Sequence, residues 1–392
     1  MEKINTEVIE KLRCLIADSD PQAIYDFIDH YQPIDFAEIV EELDDVEISS
    51  LVRLLDDNRL ASLMEESDDD ERIRIARTLD NRRLMTAFEY MQKDDIVDML
   101  GDFPILRRKE VLRLMKSSDQ TIINKLLNYP EDSAGGLMTT DYIALHDDLT
   151  VADALDVIRR TGPKTDLIQT IFVIDDKRKL IGTVSLKSLL VASKTSLIRA
   201  LMDDQVLSVN PETDQEEAAR IVARYDLDVI PVVSRSNQIL GIITVDDIID
   251  VIIEEYNEDM LQLAGVNVEE KLDSTWRESL RMRLPWLLIN LVTAFLASFV
   301  VNLFQNTIQQ VVALSAVMTI ISGMGGNAGT QTMSILVRTL SQKDLSWRDA
   351  LPHLLKEIVV GVLDGASCGT VTAVVVWFMY HNLYLCLIVV LA

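Results

Sequence analysis

The stretch Gly323-Met324-Gly325-Gly326-Asn327-Ala328-Gly329-Thr330-Gln331 decides how the C-terminal part of this chain is interpreted. It lies inside an apolar segment that runs from about 311 to 340. Glycines this close together are unfavourable in a helix, because each loses more backbone entropy than alanine. We therefore expect a break in a membrane helix, which is tolerated only where the freed backbone groups are buried in protein or line a watery cavity.

Two interpretations of this stretch remain open from the residues alone. Small side chains allow membrane helices to approach closely, which explains the glycines as a packing site. Freed carbonyls and the amide oxygen of Asn327 are hard ligands of the kind that Mg²⁺ and Ca²⁺ prefer, which indicates an ion path. Packing alone does not explain the polar Asn327 and Gln331.

Apolar runs around this stretch predict a membrane domain. We expect spans at about 285–304, 311–340 and 354–380, and a partial span at 383–392 that is too short to cross. Arginines precede the first span, and the connection 338–356 carries four basic residues, whereas the connections 305–310 and 381–382 carry no Lys or Arg. By the positive-inside rule, the part before residue 284 is cytoplasmic and the protein is multi-pass in the cell membrane.

The third predicted span carries a carboxylate, Asp364, and glycines at every fourth position, Gly361, Gly365 and Gly369. The glycines predict a face for close helix contact. A carboxylate at membrane depth is expensive and is a functional-site candidate, although a protonated packing residue would look the same.

The formal net charge of −26 belongs to the part before residue 284. Such an acidic domain argues against nucleic acid as a partner and favours cations. The three cysteines and four histidines are scattered, so they indicate no disulfide framework and no zinc site. We find no nucleophile–base pair or phosphate loop, and therefore expect no enzyme.

Residues 1–128 have apolar positions at spacings of three and four, interrupted by turns rich in Asp and Asn that fit helix N-caps. Short units that resemble each other predict a helical-repeat domain. Asp94, Asp95 and Asp98 cluster at one helix start, where acids usually compensate the helix dipole. A cation site there would need partners from elsewhere in the chain.

An α/β unit then occurs twice, about 60 residues apart. Its strand pairs are Ile171-Phe172-Val173-Ile174 with Leu180-Ile181-Gly182-Thr183-Val184, and Val229-Ile230-Pro231-Val232-Val233 with Ile239-Leu240-Gly241-Ile242-Ile243. These units resemble a tandem pair of CBS domains, which implies regulation and often an adenine nucleotide. In the second copy, Thr244 and Asp247 match the residues that hold the ribose in that family. The first copy has Leu186 where the acid would be, so nucleotide binding stays open.

Acidic residues accumulate where the second unit ends. Asp247, Asp250, Glu254 and Glu258 fall on one helical face, where like charges are unfavourable unless cations screen them. Glu255 lies beside them, and Asp214, Glu216 and Asp226 add acids within the second unit. Each acid alone would be a solvated residue, but their density favours a divalent-cation site.

Taken whole, the chain resembles the MgtE family of magnesium transporters. The order of parts matches, and the segment 325–331 matches the most characteristic membrane motif of the family. The resemblance implies a multi-domain fold: an all-α helical-repeat domain (1–128), an α/β tandem CBS pair (129–192 and 193–256), a connecting helix (257–283) and an α-helical transmembrane bundle (284–392).

The resemblance also implies a homodimer with a Mg²⁺-selective pore that cytoplasmic Mg²⁺ holds shut. The implied pore residues are Gly325, Gly326, Asn327 and Gly329, to which we add Asp364. The implied sensing acids are Asp94, Asp95, Asp98, Asp214, Glu216, Asp226, Asp247, Asp250, Glu254, Glu255 and Glu258.

The chain also departs from the family pattern. The family has five spans with an aspartate in the last, whereas this chain ends inside the fourth apolar run, so we expect a C-terminally truncated form. Two other functions stay open: transport of another divalent ion such as Co²⁺, Mn²⁺ or Zn²⁺, and a transport-inactive, membrane-anchored CBS sensor of adenylates.

Overall fold

A computed structural model describes residues 6–162, 168–267, 270, 274–342 and 347–391. The chain divides into two compact units, Met1–Ile252 and Ile253–Ala392, and the boundary falls within one long helix.

The first unit begins with ten short helices: α1 (Thr6–Asp18), α2 (Pro21–Ile28), α3 (Pro33–Glu41), α4 (Asp45–Leu54), α5 (Asp57–Glu65), α6 (Asp69–Thr78), α7 (Asn81–Ala87), α8 (Lys93–Asp102), α9 (Ile105–Leu114) and α10 (Ser117–Leu126). From α3 onward, each helix packs against the helix two positions further along. Asp20, Asp44, Asp56 and Asp80 cap helices as their turns predict. The helical-repeat prediction is confirmed.

Arginines connect successive parts of this helical domain. Their guanidinium groups donate to carbonyl oxygens near the C-terminal ends of helices about one repeat away, where the usual i+4 donors run out. These ties run from Arg13 to Glu42, from Arg74 to Leu43, from Arg83 to Leu55 and from Arg107 to Ala76, over sequence separations of 29, 31, 28 and 31 residues. Each tie therefore holds a helix end against its neighbour in the stack.

The CBS pair follows in the same unit. The first copy contains β1 (Ala144–His146), α11 (Val151–Thr161), β2 (Thr170–Ile174), β3 (Leu180–Ser185) and α12 (Leu186–Val191), and the second contains α13 (Gln215–Tyr225), β4 (Val229–Val233), β5 (Ile239–Thr244) and the start of α14 (Val245–Leu263). β2 pairs antiparallel with β3 and β4 with β5, and each pairing has an irregularity near the end of its first strand. The predicted repeat is confirmed.

The glycine in each hairpin allows another backbone to approach closely. A Cβ on Gly182 would lie 2.8 Å from the Asp203 carbonyl oxygen, and one on Gly241 would lie 2.5 Å from that of Thr139. Thr139, from the N-terminal segment of the first copy, pairs with Ile242 of the second, and Asp203 of the second copy pairs with Thr183 of the first. The two copies thus exchange edge segments.

The hydrophobic core of the helical domain continues without interruption into the second CBS copy. One cluster runs from Val8 to Val251 and includes Ala134, Val222 and Ile243. A separate cluster fills the first copy, and a third, around Phe172 and Ile242, lies between the copies. The helical domain is therefore packed directly onto the second CBS copy.

The second unit contains the rest of α14 and five further helices: α15 (Trp276–Leu303), α16 (Gln305–Gln310), α17 (Ala313–Gln342), α18 (Trp347–Tyr380) and α19 (Leu383–Leu391). Among the described residues, two helical segments are long and apolar enough to cross a membrane, Trp276–Leu303 and Leu351–Tyr380. Helix α17 has the length of a span, but the polar and glycine residues of its central motif lower its hydropathy.

The expected break at Gly323–Gln331 is wrong, since α17 continues through all four glycines. A Cβ on Gly323, Gly325, Gly326 or Gly329 would meet no other atom within 4 Å. Intact i to i−4 hydrogen bonds satisfy the backbone here, so no carbonyl is freed by a break.

The predicted connecting helix over 257–283 is also wrong, because these residues belong to two helices with non-helical residues between them. Gly265 ends α14 in the left-handed conformation, with φ of +67°. The amide of Val266 donates to the Leu261 carbonyl, which is the Schellman pattern of a helix end. A capping box formed by Thr275 and Glu278 then begins α15.

Helices α17 and α18 form an antiparallel hairpin within the second unit. The Thr332 hydroxyl donates to Glu357 Oε2 at 3.1 Å, and Val317 packs in one cluster with Ala373 and Val376.

Candidate metal site

The start of α8 carries an acidic group whose charge is poorly compensated. Burial raises the pKa of Asp94 well above its ordinary range, and the neighbouring charges of Asp95, Asp247 and Asp98 raise it further. Oδ1 of Asp94 is a buried atom without a hydrogen-bond partner. A buried carboxylate oxygen in this state favours a proton or a cation.

Asp95 and Asp98 extend this surface along the same helix. Burial raises the pKa of each carboxyl to about 7, although the guanidinium of Arg72 opposes the shift. Glu65 and Asp247 add to the shift of Asp95. The side chain of Asp98 is exposed to solvent, so water screens it more effectively, and Asp94 and Asp95 carry the argument.

Asp247 contributes from the first turn of α14. Its pKa is raised by burial, opposed by a hydrogen bond from Thr244, and raised further by Asp246 and Asp250. The amide and the hydroxyl of Thr244 both donate to Oδ2 of Asp247, at 3.3 and 2.5 Å. The Thr–Asp pattern predicted for ribose binding thus forms a helix cap, and Asp247 belongs to both candidate sites.

The charge of Asp247 therefore acts on both Asp94 and Asp95, across the contact between the helical domain and the second CBS copy. Among the described residues, no three Asp, Glu, His or Cys side chains converge closely enough to hold a metal ion directly. Like charges at short range repel, so the acids lie near one another without converging.

The remaining predicted acids lie apart along the chain and have local roles. Asp214 caps α13 by accepting from the Glu216 amide at 2.9 Å, Glu216 pairs with Arg220 at 3.4 Å, and Asp226 ends α13 in the left-handed conformation. On α14, Asp250 and Glu254 are exposed and Glu255 is half-buried, while Glu258 accepts from Gln262 at 2.6 Å.

Sequence reasoning missed the cations beside the acids. Arg72 is 9% exposed and donates to the carbonyls of Met64, Glu65 and Ser67, while its guanidinium lies 3.9 Å from Asp95. Its spacing from the buried Ile75 and Ala76 places it on the apolar face of α6, and that signal was available. No spacing rule could have found the Lys93–Asp141 ion pair, which joins residues 48 apart.

The predicted pore residues lie in the second unit. Asp364 follows Glu357 by seven residues, and Gly325 precedes Thr332 by seven. The contact between Thr332 and Glu357 therefore sets Asp364 at the level of Gly325 and Gly326, since antiparallel helices advance equally along their axes.

Family models match three parts of the chain. The MgtE intracellular N domain matches residues 31–132, the CBS domain matches residues 134–195 and 198–254, and a divalent cation transporter domain, MgtE, matches residues 318–392.

Full-length relatives support the same assignment. The magnesium transporter MgtE of Thermus thermophilus is 31% identical over 396 residues, which cover 98% of this chain and 86% of that protein. The magnesium transporter MgtE of Bacillus subtilis is 29% identical over 369 residues, which cover 94% of this chain and 82% of that protein.

Solved structures agree with the fold of the first unit. The cytosolic domain of the Mg²⁺ channel MgtE in complex with ATP matches with a TM-score of 0.59 and 31% identity, over 62% of this chain and 99% of that one. The soluble part of a magnesium transporter matches with a TM-score of 0.60 and 26% identity, over 64% and 98%. The chain belongs to the MgtE family of magnesium transporters.

Proposed function

We propose that this protein is a Mg²⁺-selective membrane transporter that cytoplasmic Mg²⁺ closes. The observation that carries the proposal is the charge of Asp247 acting on Asp94 and Asp95, with one buried oxygen of Asp94 left without a partner. Repulsion between these acids favours separation of the helical domain from the second CBS copy. A divalent cation removes the repulsion and favours the packed arrangement, because it binds that arrangement better.

The chemistry of the surface favours a hard cation. Its candidate ligands are carboxylate oxygens, which suit Mg²⁺ better than softer metals. Mg²⁺ gives up its water reluctantly and often binds through one or two carboxylates with water completing the shell. Acids that approach without forming a cage fit a hydrated ion of this kind.

In the membrane we propose that Gly325, Gly326, Asn327 and Gly329 line the ion path, with Asp364 at the same level. In the continuous α17, Gly325, Gly326 and Gly329 leave one helix face without side chains, and Asn327, on another face, supplies the only side-chain oxygen of these four residues. The relatives' magnesium transport and the charge of the connecting segments support a multi-pass protein with its N-terminal domains in the cytoplasm. A homodimer would supply a second copy of these pore residues.

The proposal extends to adenine nucleotide through Asp247. Because this carboxylate belongs both to the Thr244 pair and to the acid surface, nucleotide and Mg²⁺ bound there would influence each other. An ATP complex is recorded for the cytosolic domain of a related channel, which supports testing ATP as the ligand.

Mg²⁺ uptake into liposomes tests the transport part, with Mn²⁺, Co²⁺ and Zn²⁺ offered in parallel. We expect uptake of Mg²⁺ that falls as Mg²⁺ on the side of the cytoplasmic domains rises. The double variant Asp94→Asn, Asp247→Asn should remain open at Mg²⁺ concentrations that close the parent, while Glu217→Gln, on the exposed face of α13, should close with the parent. Closure of the double variant at the parental concentration would refute the proposed sensor, and preferred uptake of another ion would refute the selectivity.

A further inference from the structure

An ion pair joins the helical domain to the CBS pair at the residue just before the acid surface. Nζ of Lys93, the first residue of α8, lies 2.5 and 2.8 Å from the two carboxylate oxygens of Asp141. The two side chains are 22% and 27% exposed, so the pair is more buried than an ordinary surface salt bridge.

Asp141 is held by the same strand that leads to Asp247. The Thr139 amide donates to the Ile242 carbonyl at 2.9 Å, the Ile242 amide returns a bond of 2.9 Å, and the Asp141 amide donates to Thr139 Oγ1 at 3.4 Å. Ile242 lies on β5, which runs directly into α14. The segment carrying Asp141 is therefore tied to the second CBS copy beside the start of α14.

Two electrostatic interactions of opposite sign thus act between the same two elements, α8 and the second CBS copy. The pair Lys93–Asp141 attracts α8 to the second CBS copy, and the next two residues of α8, Asp94 and Asp95, are repelled by Asp247. The attraction needs no metal, whereas the repulsion is removed only by a cation or protons. The balance between them determines how much cation is needed for the two elements to pack.

We propose that Lys93 and Asp141 are positioning residues that hold the start of α8 in place and so set the Mg²⁺ concentration at which the acid surface closes. This inference rests on the proposed Mg²⁺ sensor and adds the element that determines its threshold. Without the pair, Mg²⁺ has to supply the missing attraction, and the midpoint of closure moves to higher concentration.

A cavity of about 580 Å³ beside the pair also provides a matched control. Its lining includes Lys93 and Asp141 and also a second ion pair, Lys116 with Glu89, at 2.6 Å. Both members of that second pair belong to the helical domain, and they are 70% and 56% exposed. Losing it changes the charge of the same cavity by the same amount and breaks no contact between the domains.

The test follows hydrogen exchange of the α8 amides in the full chain, in lipid nanodiscs, during a Mg²⁺ titration. We expect Mg²⁺ to protect α8 in the parent and Lys93→Met to raise the midpoint roughly three- to tenfold, which places the pair between exposed and fully buried ones. Lys93→Arg should stay within about twofold of the parent, since it retains a donor for Asp141. Lys116→Met should leave the midpoint unchanged.

Asp141→Asn separates loss of the contact from a change in overall charge. Lys93→Met and Asp141→Asn shift the net charge in opposite directions, so a long-range field effect would move their midpoints in opposite directions. Loss of the ion pair instead raises the Mg²⁺ midpoint of both variants. Opposite shifts, or an equal rise in Lys116→Met, would overturn the inference while leaving the proposed sensor intact. A parent whose α8 is insensitive to Mg²⁺ would refute the sensor itself. Should Lys93→Met fail to fold, Lys93→Gln removes the same charge and takes its place in the comparison with Asp141→Asn.

Discussion

Replacing Asp95 by asparagine measures how much the charge of this partly buried carboxylate lowers the free energy of unfolding when no metal is bound. Burial, opposed by Arg72 and reinforced by Glu65 and Asp247, raises the pKa of Asp95 from 3.8 to about 7. Between these pH values the folded protein holds a proton that the unfolded chain has released. Stability therefore falls as pH rises from about 4 to about 7 and stays low above that.

The size of this loss of stability follows from the shift in the pKa of Asp95. About three pKa units correspond to about 4 kcal/mol, but the Asp95 side chain is 26% exposed, and screening by water lowers the expected value to about 1–2 kcal/mol. Asn has the same shape without the charge. At pH 8 in EDTA, Asp95→Asn should therefore raise the Tm of the first unit by roughly 2–8 °C.

Differential scanning calorimetry at pH 8 and pH 5, with EDTA or with Mg²⁺, checks the prediction. At pH 5 the gain should shrink, because the parent carboxyl is already protonated. Mg²⁺ at ten times its Kd stabilises the parent by about 1.4 kcal/mol, and the variant should gain less. Glu38 is an exposed acid on α3, and Glu38→Gln should change neither the Tm nor its response to Mg²⁺. A gain that is equal at both pH values, or a full Mg²⁺ response in the variant, would contradict the reasoning.

Three further predictions concern packing and local structure. Arg72→Met should lower the free energy of unfolding of the first unit by about 3–5 kcal/mol, because it leaves buried carbonyls without a donor; urea denaturation measures this. Phe172→Ala should cost a similar ~3–5 kcal/mol by leaving a cavity between the CBS copies, where Tyr142 packs edge-on against the ring, and the same denaturation measures it. Gly265→Ala should lower the Tm, because φ there is +67° and a Cβ would collide with the Trp286 indole. Adding Trp286→Ala to Gly265→Ala should recover only the part of the Tm loss that the collision with the indole causes.

Each of these has an outcome that would contradict it. A loss below about 1 kcal/mol in Arg72→Met would mean that water replaces the guanidinium as donor. A similarly small loss in Phe172→Ala would mean that the two CBS copies close around the gap. An unchanged Tm in Gly265→Ala would mean that α14 does not end in the left-handed conformation at this glycine.

Local patterns predicted the helical repeats and the two CBS units well. Apolar spacing and the Asp turns before α4, α5 and α7 are properties of a few neighbouring residues, and the strand–glycine–strand pattern occurs twice. The interdomain site was predicted only in part. Its acids were conspicuous in the sequence, but the repulsion of Asp94 by Asp247 and the ion pair of Lys93 with Asp141 depend on how two domains pack.

Where the predictions were wrong, a competing local rule decided the outcome. The glycines at 323–329 were expected to break α17, but glycine costs only about 1 kcal/mol each in a helix and continuous backbone hydrogen bonding outweighs that cost. In the connecting segment, Gly265 is a recognisable helix stop before Val266, which the prediction of one helix over 257–283 overlooked.

The arginine ties of the helical domain have a consequence for how its length can vary. Each tie spans 28 to 31 residues and so joins helices about one repeat apart, as in a stack whose units contact mainly their neighbours. The family match begins at residue 31, after α1 and α2, and this first pair is attached to later helices by bonds from Arg13 to the Glu42 carbonyl and from Tyr25 to the Leu54 carbonyl. The stack can therefore vary in length at its N-terminal end with little effect on the placement of α8.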